Sequence, residues 1–409
     1  MKTLTRVIAK NFLSLKDVDV QLGDLNVLVG PNGSGKTNFL NIFRFIGDVA
    51  RSDLMPTIEA FGGISNVIFR ELSPKKGHRG VDIKLEGVMT EFSSSTALDE
   101  YQIKFWSRSA INSGERPYLG YPVVRSETVV IKRKQGKGRR ITIKGGSVEF
   151  ENINNNRNSL QKPPSKLEVQ ETSSGLTILR RLGKAYDAPQ IEQIAQIFEQ
   201  LRLFEVNVSA ARMPSSTSNS KQLNADASNI AAFLVYLKES YPERFELIKE
   251  DIAFVLPTFR DFQFKKLGGA DEAIRVEIVE SPLSGSTPLA RSSFGTIRSI
   301  ALFAMLHDPN PPKLTCLEEV DHGLHPHALD RLVERLRQAS KKTQIIVATH
   351  SPALVNRLAA EELIIFQRDG QTGATHQPDI SVEEMRDMEK ESGYRLGELW
   401  FSGAIGGNP

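Results

Sequence analysis

The chain has 409 residues, 40% hydrophobic and 25% charged, a composition ordinary for a soluble globular protein and long enough for about two or three domains. Its net charge of +3 excludes a global basic field that demands nucleic acid, so local patches must carry any such contact. One cysteine, Cys316, rules out internal disulfides, and with no signal peptide and no apolar run near the roughly 18 residues of a membrane span, a cytoplasmic protein is expected.

Residues 4–10 and 17–22 alternate apolar and polar, as in Val18, Val20 and Leu22, and predict two half-buried strands around Asn11-Phe12-Leu13-Ser14. The apolar run Val27 to Val29 then predicts a short buried strand. It leads into Gly30-Pro31-Asn32-Gly33-Ser34-Gly35-Lys36-Thr37, followed by Asn38 and a helical spacing of Phe39, Leu40, Ile42 and Phe43. This is the phosphate-binding loop G-x-x-x-x-G-K-[ST], with a strand before it and a helix after it. The glycines let the backbone curl so that N–H groups point at phosphate oxygens, and the helix dipole aims at the same place. Asn32, Gly33, Ser34, Gly35, Lys36, Thr37 and Asn38 are the candidate nucleotide-binding residues. Lys36 supplies a charge for the β- and γ-phosphates, and the Thr37 hydroxyl a ligand for Mg²⁺. The helix is expected to end near residues 47–52. Residues 58–70, with Gly62-Gly63 in the middle, predict a loop and a short strand.

From about residue 80 to 150 the alternation in Val81–Val88, Tyr101–Trp106 and Thr128–Ile131 predicts an antiparallel sheet. Its last hairpin carries Lys132, Arg133, Lys134, Lys137, Arg139, Arg140 and Lys144 with no acid among them. It reads either as a contact for a DNA or RNA backbone or as a solvated hairpin. Residues 151–175, Asn-rich with Pro163-Pro164, predict an irregular linker. Two apolar stripes follow, one through Ile191, Ile194, Ile197, Phe198 and Leu201, the other through Ile230, Phe233, Leu234 and Leu237; both predict packing helices. The Ser-rich residues 212–228 between them predict a mobile loop. No sustained heptad pattern supports a coiled-coil arm. Strand alternation returns over 261–280.

Ser292-Ser293-Phe294-Gly295-Thr296 opens an apolar helix, Ile297 to Leu306. Ser293 and Gly295 offer a hydroxyl and backbone N–H groups to an anion, or serve only as a helix cap. The strand Leu314-Thr315-Cys316-Leu317 ends in two acids, Glu318 and Glu319. Adjacent carboxylates at the end of an apolar strand are costly unless they meet a cation or a proton to move. Glu318 is expected to hold Mg²⁺ and Glu319 to act as general base on the attacking water. The apolar strand Gln344–Thr349 ends at His350, where α/β sheets place their ligands, so His350 is a candidate to sense the γ-phosphate. Leu363–Phe366 predicts a last strand.

The ordered set GPNGSGKT, SSFGT, LEEVDHGLHP and ATHSP resembles the ATP-binding-cassette ATPase superfamily, most of all the branch with RecF, SMC proteins and the OLD-like (AAA-21) ATPases. KNFLSLKDVDV, ASNIAAFL and LGELWFSGAIGG are also similar to that group. The resemblance implies an α/β fold: a P-loop ABC-type ATPase head with an antiparallel β subdomain and an inserted helical region. The expected domains are an N-terminal ATPase lobe (1–150), a linker and helical insertion (151–260) and a C-terminal ATPase lobe (261–409). It further implies that two heads dimerise head to tail around ATP and Mg²⁺, with Ser293 and Gly295 of one head capping the nucleotide of the other. SSFGT departs from the usual S-G-G-Q by placing Phe294 between Ser and Gly. His325 replaces the usual Asp of the D-loop, and Asn66 or a neighbour stands where the family carries its glutamine lever. No Toprim nuclease domain is expected after the last strand. The implied function is an ATP-hydrolysing switch, a homodimer or higher oligomer, that controls a separate nuclease or toxin effector in anti-phage defence. A RecF-like DNA-repair clamp and a non-hydrolysing scaffold are the alternatives.

Overall fold

In the computed structural model, residues 3–70, 80–107, 123–133, 138–153, 166–168, 170–182, 189–268 and 273–406 are described. Five strands form a parallel sheet in the order Arg202–Phe204, Leu314–Glu318, Gln344–Thr349, Leu25–Val29 and Leu363–Ile365. Their near-continuous apolar runs are explained by burial on both faces. Val27, Val29, Leu317, Ile345, Val347 and Ile365 face one apolar cluster. Leu28, Cys316, Ile346, Ala348 and Ile364 face the other.

The second cluster is completed by the helix Lys36–Ser52, which buries Phe39, Leu40, Ile42, Phe43, Phe45, Ile46 and Val49. Above it lies an antiparallel sheet, eight-stranded among the described residues, running from Leu15–Gln21 through Leu4–Phe12 and on to Lys166–Glu168. Its inward side chains, such as Val7, Ile83, Tyr101, Phe105 and Ile143, are buried, which is the alternation the sequence carries. The first cluster holds the helices Ile230–Ser240, Pro242–Val255, Phe294–Leu306 and Ala328–Ser340. Against it packs a smaller antiparallel sheet built on Phe259–Leu267 and Ala273–Glu280.

Three stretches differ from the sequence expectation. Within 58–70 there is helix, not strand: Leu54–Ala60 and Ile64–Val67 flank Gly62 and Gly63, both at positive φ, and Ile68 makes only one bridge to Phe12. Within 151–175, Ser147–Ile153 and Lys166–Glu168 extend the large sheet, while residues 154–165 lie outside the described residues. Residues 212–228 include a short strand, Ser215–Ser216, and a 3-10 turn, Thr217–Asn219, and are hydrogen-bonded to their surroundings. Glu205 N donates to Ala225 O at 3.0 Å, Asn207 N to Asp226 O at 3.0 Å and Asn229 Nδ2 to Gln222 O at 2.7 Å, with Leu223 and Ala227 buried beneath. The helix Pro189–Glu199 joins the second cluster and Ile230–Ser240 the first, so residues 151–260 contribute to both cores.

Candidate nucleotide site

The phosphate loop, the acidic pair and His350 all lie at the carboxyl ends of parallel strands, and they meet. One cavity of about 240 Å³ is lined by Asn32, Gly33, Gly35, Lys36, Thr37, Asn38, Glu318, Glu319, Thr349, His350 and Arg368. Lys36 Nζ rests on the loop's own carbonyls, donating to Gly30 O at 2.6 Å and Pro31 O at 3.0 Å. Burial pushes its pKa down, against the pull of Glu318 and Glu319. Gly35 stands at φ 104° as the helix begins, the left-handed conformation that lets the loop close under the helix N-terminus. Ser34 is fully buried beneath the loop. Asn38 Nδ2 donates to Ser14 Oγ at 2.7 Å, tying the helix to the first hairpin.

Burial raises the Glu318 carboxyl above the ordinary carboxylate range; a hydrogen bond with Thr37 opposes this, and the charges of Glu205 and Glu319 add to it. Glu319 sits at φ 48°, unusual for a residue with a side chain, and its N donates to Ala348 O at 2.9 Å. This turn leaves the Glu319 carboxylate half exposed at the cavity, with His322 Nδ1 3.6 Å away.

Ser293 and Gly295 do not line this cavity. Ser293 caps the helix Phe294–Leu306, its side chain accepting from Thr296 N at 3.1 Å. Gly295 packs on the backbone of Gly323, and a Cβ there would overlap the Gly323 carbonyl. The intervening Phe294 is 43% exposed and lies over Arg298 and beside His322. His325 Nδ1 accepts from His327 N at 3.2 Å. Asn66 bonds locally to Gly62 O at 2.7 Å and faces a second pocket, away from the acidic pair.

Four residues at this site escape local sequence reasoning. Arg298 Nη2 donates to Glu319 O at 2.7 Å, so the helix opened by Ser293 grips the acidic turn of its own chain. Asp321 Oδ1 accepts from Thr349 Oγ1 at 2.7 Å, linking the acidic turn to the strand that carries His350. Glu205 follows the edge strand beside Leu314–Glu318 and is close enough to perturb Glu318. Arg368 reaches the phosphate loop from the far end of the chain. Asp321 stands in the LEEVDHGLHP stretch, which does not announce its bond to Thr349; the other three belong to no local motif, and only strand order and packing bring them here.

The basic hairpin is partly neutralised. Lys132 pairs with Glu100, Arg140 lies 3.9 Å from Glu151, and the Arg133 guanidinium stands 4.4 Å from the centroid of Phe92. Lys134 and Lys137 lie outside the described residues. A larger cavity of about 530 Å³ beyond the edge strand sets Arg44, Arg51 and Arg202 against Asp48, Glu199, Glu205 and Asp226, and contains no phosphate-loop residue.

A family model described as "AAA domain, putative AbiEii toxin, Type IV TA system" matches residues 25–356, from the strand before the phosphate loop to just past His350. The chain belongs to the AAA_21 family. This AAA_21 chain is 41% identical over 58 residues to the OLD nuclease of Thermus scotoductus, a match spanning 14% of the chain and 10% of that nuclease. Its fold is that of an ABC-type ATPase head. An SMC head solved with the C-winged helix domain of ScpA superposes with a TM-score of 0.53, covering 94% of this chain and 99% of that one at 15% identity. The AAA_21 chain thus has the fold of an ABC-type P-loop ATPase head, and its likeness to the OLD nuclease is confined to one short segment. Among its described residues no helix is long and apolar enough to cross a membrane.

Proposed function

We propose that this AAA_21 chain is an ATP-hydrolysing switch that pairs head to tail with a second copy and controls a separate effector, a nuclease or toxin, in anti-phage defence. The observation that carries the hydrolytic part is the convergence of Lys36, Thr37, Glu318, Glu319 and His350 on one cavity. Lys36 exchanges its two carbonyl partners for β- and γ-phosphate oxygens, a stronger charge-assisted contact. Glu319 takes the proton of the attacking water, and His350 faces the γ-phosphate. A nucleoside fits the adjoining pocket of about 290 Å³, lined by Leu13, Ser14, Asn38, Ile68, Phe69 and Arg368 among others.

A hard divalent cation fits the donors. Thr37 lies close enough to Glu318 to hold its carboxyl down, and the acids around Glu318 concentrate negative charge that a cation relieves. Among the described residues no three His, Cys, Asp or Glu side chains are grouped to hold a metal. Mg²⁺ would therefore share Thr37 and Glu318 with the phosphates, consistent with its habit of using few protein ligands. When bound it would supply charge stabilisation to the transferring phosphoryl group.

The pairing reading is supported by Ser293 and Gly295 lying outside the cavity of their own chain. The effector and the defence role are supported by the toxin–antitoxin description of the family and the short match to an OLD nuclease. The partial neutralisation of the basic hairpin weighs against the repair-clamp reading.

Glu319→Gln tests the chemistry. Phosphate release is expected to fall at least about a hundredfold, the usual contribution of a general base, with ATP affinity within a few-fold of the parent. Lys36→Ala is expected to lose ATP binding. Parental turnover by Glu319→Gln would remove Glu319 from the base role.

A further inference from the structure

We infer that Arg368 is a nucleotide-contacting residue, set where the triphosphate leaves the loop for the nucleoside. The inference rests on the ATPase reading above and adds a residue outside the family match, which ends at residue 356.

Two cavities meet here. The phosphate cavity and the adjoining pocket share two lining residues, Asn38 and Arg368. The Asn38 side-chain amide is already spent on Ser14. Arg368 is exposed, and among the described residues it has no carboxylate partner. Its guanidinium donates only to backbone carbonyls, Nε to Gly373 O at 3.1 Å and Nη1 to Gly33 O at 3.4 Å. The longer of these is weak, so the group lies across the phosphate loop without being committed to it. A planar fork of donors with no carboxylate partner among the described residues, set beside a polyphosphate cradle, matches phosphate oxygens in both charge and shape.

The base of this arm is fixed. Arg368 pairs with Thr375 in a two-stranded hairpin, Gln367–Arg368 with Thr375–His376. Thr375 N donates to Ser14 O at 2.8 Å, and the Thr375 and Ser14 hydroxyls are 2.7 Å apart. Two residues earlier, Phe366 is buried with its ring 5.4 Å from that of Phe39 on the phosphate-loop helix. The hairpin is thus fastened to the same helix and turn that carry the phosphate loop, and the Arg368 guanidinium extends from it as an exposed group.

The position makes a specific demand. A cation at the junction touches the α-phosphate and ribose, which ATP and ADP share. A cation at the far end of the loop would touch the γ-phosphate, which ADP lacks. Binding of the β,γ-imido analogue of ATP and of ADP is measured by calorimetry with Mg²⁺ on the full chain. Arg368→Ala is expected to weaken both by about tenfold, the scale of one charge-assisted contact, and by equal factors. Arg368→Lys is expected to recover part of the loss, since it restores charge without the fork. The nucleotide-free melting temperature of Arg368→Ala is expected to match the parent, because the side chain is exposed.

Unchanged affinity for both nucleotides in Arg368→Ala, with Lys36→Ala losing them, overturns this inference and leaves the ATPase reading standing. A loss confined to the imido analogue overturns the junction placement. A parent that binds neither nucleotide, or a Lys36→Ala that binds both as tightly as the parent, overturns the ATPase reading and this inference with it.

Discussion

Gly35 carries two constraints at once. Its φ of 104° strains any residue with a side chain, and a Cβ there would overlap the Thr375 hydroxyl and crowd Ser14 Oγ. Gly35→Ala must therefore either flatten the loop or push away the hairpin that packs on it. The expected cost is about 1–3 kcal/mol in urea unfolding, together with loss of ATP binding; a variant as stable and as active as the parent would show that the loop tolerates rearrangement. The need for a glycine at this point was legible in the sequence, because the loop motif demands that the backbone curl. The neighbour was not, since Thr375 is 340 positions away and belongs to no motif. Phe294 repeats the pattern. Its departure from the family signature was plain, but the Arg298 and His322 contacts that accommodate it depend on how the helix meets the acidic turn.

At the scale of elements, one buried carboxylate joins three helices. Asp251, on Pro242–Val255, takes His307 Nε2 at 2.6 Å from the end of Phe294–Leu306 and Arg335 Nε at 2.8 Å from Ala328–Ser340. Arg331 Nε also lies 2.8 Å from it, at an angle that makes an ion pair without a hydrogen bond. The far end of the helix opened by Ser293 is thereby locked to the helix that follows the acidic turn. Burial pushes the Asp251 carboxyl up, but its bonds to His307 and Arg335 outweigh this and hold it below the ordinary range. A carboxyl lowered in the folded state contributes stability above its unfolded value, and that contribution disappears as pH falls through the folded value. The parent is therefore expected to lose urea resistance below about pH 4, with a shallower acid limb in Asp251→Asn. Asp251→Ala, which leaves Arg335 buried without its partner, is expected to cost about 3–5 kcal/mol near neutral pH. Equal acid limbs in parent and Asp251→Asn would mean that other carboxyls govern acid unfolding. This lock could not be read from sequence, where Asp251 is one acid on a helix face. The short helices Leu54–Ala60 and Ile64–Val67 escaped for another reason: each is too short to show a period, and Gly62-Gly63 reads as a turn without saying what it joins.

Across the whole molecule, a doubly buried parallel sheet sends its catalytic candidates to one edge, and this is why so much of the site was legible. Each candidate follows an apolar run, so the Val27–Val29, Leu314–Leu317 and Gln344–Thr349 segments announced their own ends. The large antiparallel sheet was legible as alternation, while the division of residues 151–260 between two cores was not, because a stripe of apolar residues does not say which surface it meets. The same arrangement frames the remaining question of assembly. Ser293 and Gly295 stand off the cavity of their own chain. On the proposed head-to-tail arrangement, a second copy covers it, and hydrolysis then removes part of the contact that holds the pair. Glu319→Gln is expected to shift from the mass of one chain to that of two on a sizing column with light scattering when ATP and Mg²⁺ are added, and not with ADP. Adding Ser293→Arg to that background places a bulky cation on the exposed helix cap, away from the chain's own cavity. It is expected to keep ATP affinity within a few-fold while abolishing the doubling. A doubling that survives Ser293→Arg would mean that the copies meet through another face. A mass that ignores ATP would mean that the nucleotide acts within one chain or within a preassembled complex.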